Sequence, residues 1–79
     1  MYFVYVLRSL KNKRFYIGST NNLTRRLFEH NKGKSKYTRN TKPFELIYTE
    51  TYATRKEAIA REIALKGGQG RQWLKQKYG

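Results

Sequence analysis

The chain opens on a run of β-branched and aromatic residues, YFVYVLR over residues 2–8, which predicts a strand. Polar LKNK follows as a turn, and RFYIGS from Arg14 to Ser19 predicts the returning strand of a hairpin. The turn decides which side chains meet. A two-residue loop centred on Lys11-Asn12 puts Tyr5 and Tyr16 on one face of the sheet, whereas a three-residue loop puts them on opposite faces. Asn21 or Asn22 can N-cap a helix that carries Leu23 and Leu27 as its apolar stripe, runs to about Lys32 and stops at Gly33. Residues 34–42 are basic and irregular, with room for a short helical turn. After Pro43 a third strand, Phe44–Tyr52, is expected to carry Phe44, Leu46, Tyr48 and Tyr52 on one face. Thr54-x-x-Glu57 is a capping box that starts a second helix, ending near Lys66 at Gly67-Gly68. A short last helix, Arg71–Lys77, follows Gly70 and docks through Trp73 and Leu74. The order β-β-α-β-α-α predicts an α/β (α+β) fold, a small three-stranded antiparallel sheet with helices packed on it. At 79 residues the chain makes one domain, 1–79, without repeats or linkers.

Four positions break this pattern. On a wheel at roughly 100° per residue, Ala58, Ile59 and Leu65 define the core-facing arc of the second helix. Glu62 falls between them, while Arg61, Ala60 and Glu57 face solvent. A carboxylate on a buried stripe is costly unless it is paired or holds a cation. In the first helix Arg26 and His30, spaced i,i+4, lie beside Leu23 and Leu27, whereas Arg25 and Glu29 point to solvent. An arginine at the rim of an apolar stripe either snorkels past the core edge or clamps a phosphate with its planar fork. Gly18 weakens a strand, and marks a bulge or a close approach of a ligand to the backbone.

Charge and composition narrow the partners. Eighteen Lys and Arg stand against five acidic residues, all Glu, for a formal net charge of +13. So much charge on a small surface attracts polyanions, and nucleic acid is the first candidate because each neutralised phosphate releases counterions. A basic ribosome-associated protein would share this balance. No amphipathic basic helix with a Trp/Leu face supports lipid binding. The chain has no cysteine, which excludes disulfides and cysteine zinc sites and fits a reducing cytoplasm. An apolar strand directly after Met1 leaves no charged leader region, and no apolar stretch is long enough to span a membrane.

The succession of Tyr5, Tyr16-Ile17-Gly18, Asn22-Leu23 leading to Arg26 and His30, and Glu62 on a later helix resembles the GIY-YIG nuclease superfamily over nearly the whole chain. The second motif is intact as Tyr16-Ile17-Gly18. The first is Phe3-Val4-Tyr5, keeping only the tyrosine. Ten residues separate Tyr5 from Tyr16, a usual spacing for these proteins. NLTRRLFEHNKGK, REIALK and Arg71-x-Trp73 echo the small stand-alone members, and the chain is also similar to the N-terminal nuclease domain found in excinucleases. Ser19 stands where that group often has Lys.

The resemblance implies a DNA endonuclease that leaves a 5′-phosphate and a 3′-hydroxyl, with a role in DNA repair or recombination. It implies that Glu62 holds one divalent cation, Mg²⁺ or Mn²⁺, and that Arg26 neutralises the pentacoordinate phosphorus. Tyr5 and Tyr16 would surround the attacking water, one of them as general base. His30 would bond a tyrosine or the phosphate, or be the base itself. A free phenol has a pKa of about 10, so a base role requires nearby cations to lower it. Gly18, Arg25, Lys34, Lys36 and Arg39 are the expected nucleic-acid contacts. The alternative is a non-catalytic nucleic-acid- or ribosome-binding module that keeps the nuclease shape.

Overall fold

The computed structural model describes residues 1–32 and 42–78. Gly33, Lys34, Lys36 and Arg39, and with them the expected helix stop and nearly all of the short helical turn, lie outside the described residues. The elements are β1 (Tyr2–Ser9), β2 (Phe15–Thr20), α1 (Leu23–Asn31), β3 (Phe44–Tyr52), α2 (Arg55–Lys66) and α3 (Gly68–Tyr78). All three strands are antiparallel in the order β2-β1-β3, so β1 is central and β2 is an edge. The expected α+β architecture and element order are those observed.

The hairpin settles the question of parity. Tyr5 pairs with Gly18 and Leu7 with Tyr16, a register centred on Lys11-Asn12. The connection is longer than a two-residue turn: the Ser9 carbonyl accepts from Lys13 N (2.9 Å), and Ser9 Oγ accepts from the Lys11 and Asn12 amides. Lys13 closes it in the left-handed region at φ 65°. Leu10–Lys13 is an even number of residues, so the faces match those of a two-residue loop. Tyr5 and Tyr16 therefore point the same way.

Even-numbered residues of β1 face α2 and α3. There Val4, Val6, Ile17, Ala58, Leu65 and Leu74 form one buried cluster. Odd-numbered residues face α1, where Tyr5, Leu7 and Phe44 pack with Tyr16, Leu23 and Leu27. The third strand departs from simple alternation. Val6 pairs with Tyr48 but Leu7 with Leu46, leaving Ile47 as a bulge. One extra residue reverses the faces of everything beyond it. Phe44 and Leu46 thus share the α1 face with Leu7, and Tyr48 and Tyr52 lie on the opposite one, correcting the expected single stripe.

Both long helices begin at the expected caps. Asn22 Oδ1 accepts from Arg25 N at 3.0 Å, and Thr54 Oγ1 from Glu57 N at 3.3 Å. In α2, Ala58 and Leu65 are buried as expected, but Ile59 is 37% exposed. Arg61 turns toward the sheet instead of solvent, its Nε donating to both Glu50 oxygens at 2.9 and 3.2 Å. Glu50 also accepts from the Tyr48 and Tyr52 hydroxyls. Burial pushes this carboxyl up, but the bonds from Arg61, Tyr48 and Tyr52 prevail and hold its pKa below the ordinary value. α3 starts at Gly68, earlier than the expected Arg71, and Gly70 explains how. A Cβ there would lie 2.5 Å from both Leu65 Cα and Leu65 O, so only glycine lets α3 pass so close to α2.

Candidate active site

β1, β2 and α1 bring four of the expected residues together. The Tyr5 and Tyr16 rings stack with centroids 6.5 Å apart and planes inclined by 29°. His30, on the inner side of α1, lies 4.7 Å from the Tyr16 centroid and 6.0 Å from that of Tyr5. Tyr5 Oη is 3.2 Å from His30 Nε2, and Arg26 Nε donates to the same oxygen at 3.4 Å. Arg26 also pairs with Glu29 at 3.3 Å, so Glu29 turns back toward the site rather than out to solvent. Arg25 is exposed, as the wheel predicts.

Gly18 has a use other than admitting a ligand. A Cβ there would meet Tyr5 Oη at 2.4 Å and Cζ at 2.7 Å. The phenol of the central strand lies across β2 at this point, and the missing side chain makes room for it. Gly18 is buried, with the Tyr5 ring lying over it on this face.

Glu62 approaches from the other side of β2. Ser19 pairs with Val4 and so points toward α2, where its hydroxyl donates to Glu62 Oε1 at 2.7 Å. Lys66, one helical turn on, holds Oε2 at 2.7 Å. The two flanks sense each other electrostatically. Burial raises the Tyr5 pKa above its ordinary value, and the Tyr16 and Glu62 charges add to this against the Arg26 hydrogen bond. His30 is lowered to about 4 by burial and then by the Arg26 charge, with Glu29 pulling weakly the other way. At neutral pH His30 is therefore a neutral imidazole facing a neutral phenol.

Ser19 and Lys66 are partners of Glu62 that sequence reasoning missed. The i,i+4 spacing of Glu62 and Lys66 was the available signal. Among the described residues no three His, Cys, Asp or Glu side chains form a cluster able to cage a metal. A magnesium-type ion needs less: it keeps several waters and binds through one or two carboxylates plus substrate oxygens. Glu62 with the Ser19 hydroxyl beside it is a hard-oxygen donor set of that kind, and it fits.

No helix among the described residues is long and apolar enough to cross a membrane. The chain is 44% identical over 66 residues to a UPF0213 protein of Bacillus pumilus, covering 82% of this chain and 66% of that one. It is 39% identical over 75 residues to a UPF0213 protein of Staphylococcus epidermidis, covering 94% and 90%. A solution NMR structure of a UPF0213 protein from Bacillus halodurans superposes with a TM-score of 0.57 at 32% identity, covering 100% of this chain and 87% of that one. The sequence profile of the GIY-YIG catalytic domain matches residues 1–78, a family whose domain implies nuclease-like chemistry on nucleic acid. On that match, and on the fold and tyrosine geometry that accompany it, the chain belongs to the GIY-YIG catalytic domain family.

Proposed function

We propose that the chain is a metal-dependent endonuclease that hydrolyses phosphodiester bonds in DNA, in the service of repair or recombination. One observation carries the reading: Tyr5 Oη sits within 3.2 Å of His30 Nε2 and 3.4 Å of Arg26 Nε, while Glu62 flanks the same edge strand from behind. A scissile phosphate laid over this edge meets the Arg26 guanidinium on one side and the carboxylate on the other. Arg26 draws the phosphate in and offsets charge that builds on its equatorial oxygens. Glu62, with Ser19 beside it, would hold a divalent cation, which supplies Lewis-acid stabilisation of the departing oxygen. Water attacks phosphorus, the bond to the 3′ oxygen breaks, and a 5′-phosphate and a 3′-hydroxyl result.

Burial keeps Tyr5 protonated, so its phenol orients the water rather than taking its proton. Tyr16, more exposed and set at a tilt against the neutral His30 ring, is the better placed base. The opposing reading, a module that binds without cutting, is favoured by the way Ser19 and Lys66 already satisfy the Glu62 carboxylate. Nicking of plasmid and of branched, single-stranded and duplex oligonucleotides with Mg²⁺ or Mn²⁺ separates the two. Glu62→Ala and Arg26→Ala are each expected to cut at least about a hundred-fold more slowly, with nucleic-acid binding nearly intact. Wild-type protein that cleaves no DNA or RNA under either ion returns the chain to the binding reading.

A further inference from the structure

An open groove of about 1040 Å³ runs beside β2 on the side away from α1. Its two banks are basic. Lys13 and Arg14 line it from the hairpin, and Arg71 and Lys75 from α3, one helical turn apart. Phe15 and Leu74 lie along its floor. All five glutamates are described and bonded to other groups: Glu29 to Arg26, Glu50 to Arg61, Glu57 to Thr54, and, at the groove's own rim, Glu45 to Arg8 and Glu62 to Lys66. Among the described residues Lys13, Arg14, Arg71 and Lys75 thus have no carboxylate to neutralise them. Four exposed cations around one recess repel each other, an arrangement that a polyanion relieves.

The geometry points to this groove as the seat of a single-stranded nucleic-acid arm leading away from the phosphate at the tyrosine site. The inference rests on the nuclease reading for what lies at the arm's end, and on the groove alone for the arm. Lys66 lines the same recess and holds Glu62, and Tyr16 borders it on the edge strand, so the recess reaches the strand that separates it from the phenol pair. Cations on facing banks suit one backbone lying between them. A duplex carries its phosphates on a convex cylinder and its bases stacked inside, out of reach of a half-buried ring such as Phe15. Basic walls with an aromatic contact are the common means of holding a single strand without reading its sequence. A substrate with a junction between paired and unpaired DNA would fill both the edge site and the groove.

The test is binding in EDTA, where no cleavage occurs. A fluorescent single-stranded oligonucleotide and a blunt duplex are titrated against wild type, Arg71→Gln/Lys75→Gln, and the control Arg55→Gln/Lys56→Gln, which removes the same charge from exposed positions outside the groove. Losing two phosphate contacts lowers the salt slope for the single strand by about 1.4, or roughly twenty-five-fold in affinity at 0.1 M salt. The control and the duplex should each change less than about three-fold. An equal loss in the control, an equal loss on the duplex, or no loss on the single strand overturns the groove. Nicking with Mg²⁺ is scored separately: selective loss of single-strand binding in a protein that never cuts would keep the groove and discard the nuclease.

Discussion

The two faces of the sheet share the central strand β1 but are closed by different chemistry. Under α2 and α3 the centre is aliphatic, with Val4, Val6, Ala58 and Leu74 wholly buried, the Tyr48, Trp73 and Tyr78 rings packed around them and the Glu50–Arg61 pair kept near the margin. Under α1 it includes groups that titrate, with Tyr5 and His30 fully or nearly buried against each other. Hydrophobic burial contributes about 1.5–3 kcal/mol for each large aliphatic side chain and has no preferred direction. A buried phenol against an imidazole contributes less and demands a fixed geometry, since an unmatched polar group there costs about as much as the bond contributes. Aliphatic burial is thus concentrated on the α2 and α3 face and the buried titrating rings on the α1 face, with Glu62 reaching the site from the α2 side.

The contrast can be broken from either side. Leu65→Ala should have the largest effect on folding, about 2–5 kcal/mol, because it empties a site only 1% exposed. Thermal denaturation would register a fall of more than about 10 °C. Any nuclease rate measured well below the new midpoint should stay within about two-fold of wild type. A matching loss of rate while the protein is still folded would mean that the two faces are not separable.

Acid tests the α1 face. In the unfolded chain His30 takes its proton near 6.5, in the folded chain only near pH 4, so the unfolded state binds more protons between these values. Stability should fall as pH drops through that window, by up to about 3 kcal/mol from this group. Glu50, whose pKa is depressed, also loses stabilisation in acid. Urea unfolding of wild type and His30→Gln at pH 7, 5 and 4 isolates the histidine, since only the wild type should show the extra decline. Parallel curves for the two proteins would contradict a buried neutral imidazole.

Gly18→Ala is the mildest perturbation of structure and the sharpest of geometry. The new methyl must displace the Tyr5 hydroxyl from its place between Arg26 and His30. A cost of about 1–3 kcal/mol in stability is expected from overpacking. Cleavage should drop by roughly ten-fold or more under conditions where the protein remains folded, because a misplacement near 1 Å is enough. A variant with lost stability but full rate would separate Tyr5 from the reaction.

Local chemistry determined a large part of this molecule. Asn22 and Thr54 supply side-chain oxygens that satisfy amides two or three residues on, so both helix starts are encoded within a few positions. The stripe of Ala58, Glu62 and Leu65 follows from the 3.6-residue repeat and placed the carboxylate on the sheet side of α2. The parity of the hairpin was readable only as a conditional, because loop length depends on whether Lys13 accepts a left-handed backbone. What the tertiary structure alone decided are contacts between strands and helices far apart in the chain. Ile47 is the extra residue of a bulge where β3 shifts register opposite Val6 and Leu7, and no local pattern announces it. Tyr5 lies over Gly18 because neighbouring strands are close enough for a long ring to cross one of them, a distance that sequence spacing does not contain. The basic groove likewise exists only where α3, brought in by Gly70, comes to face the hairpin, since charges add into a field according to where the fold sets them.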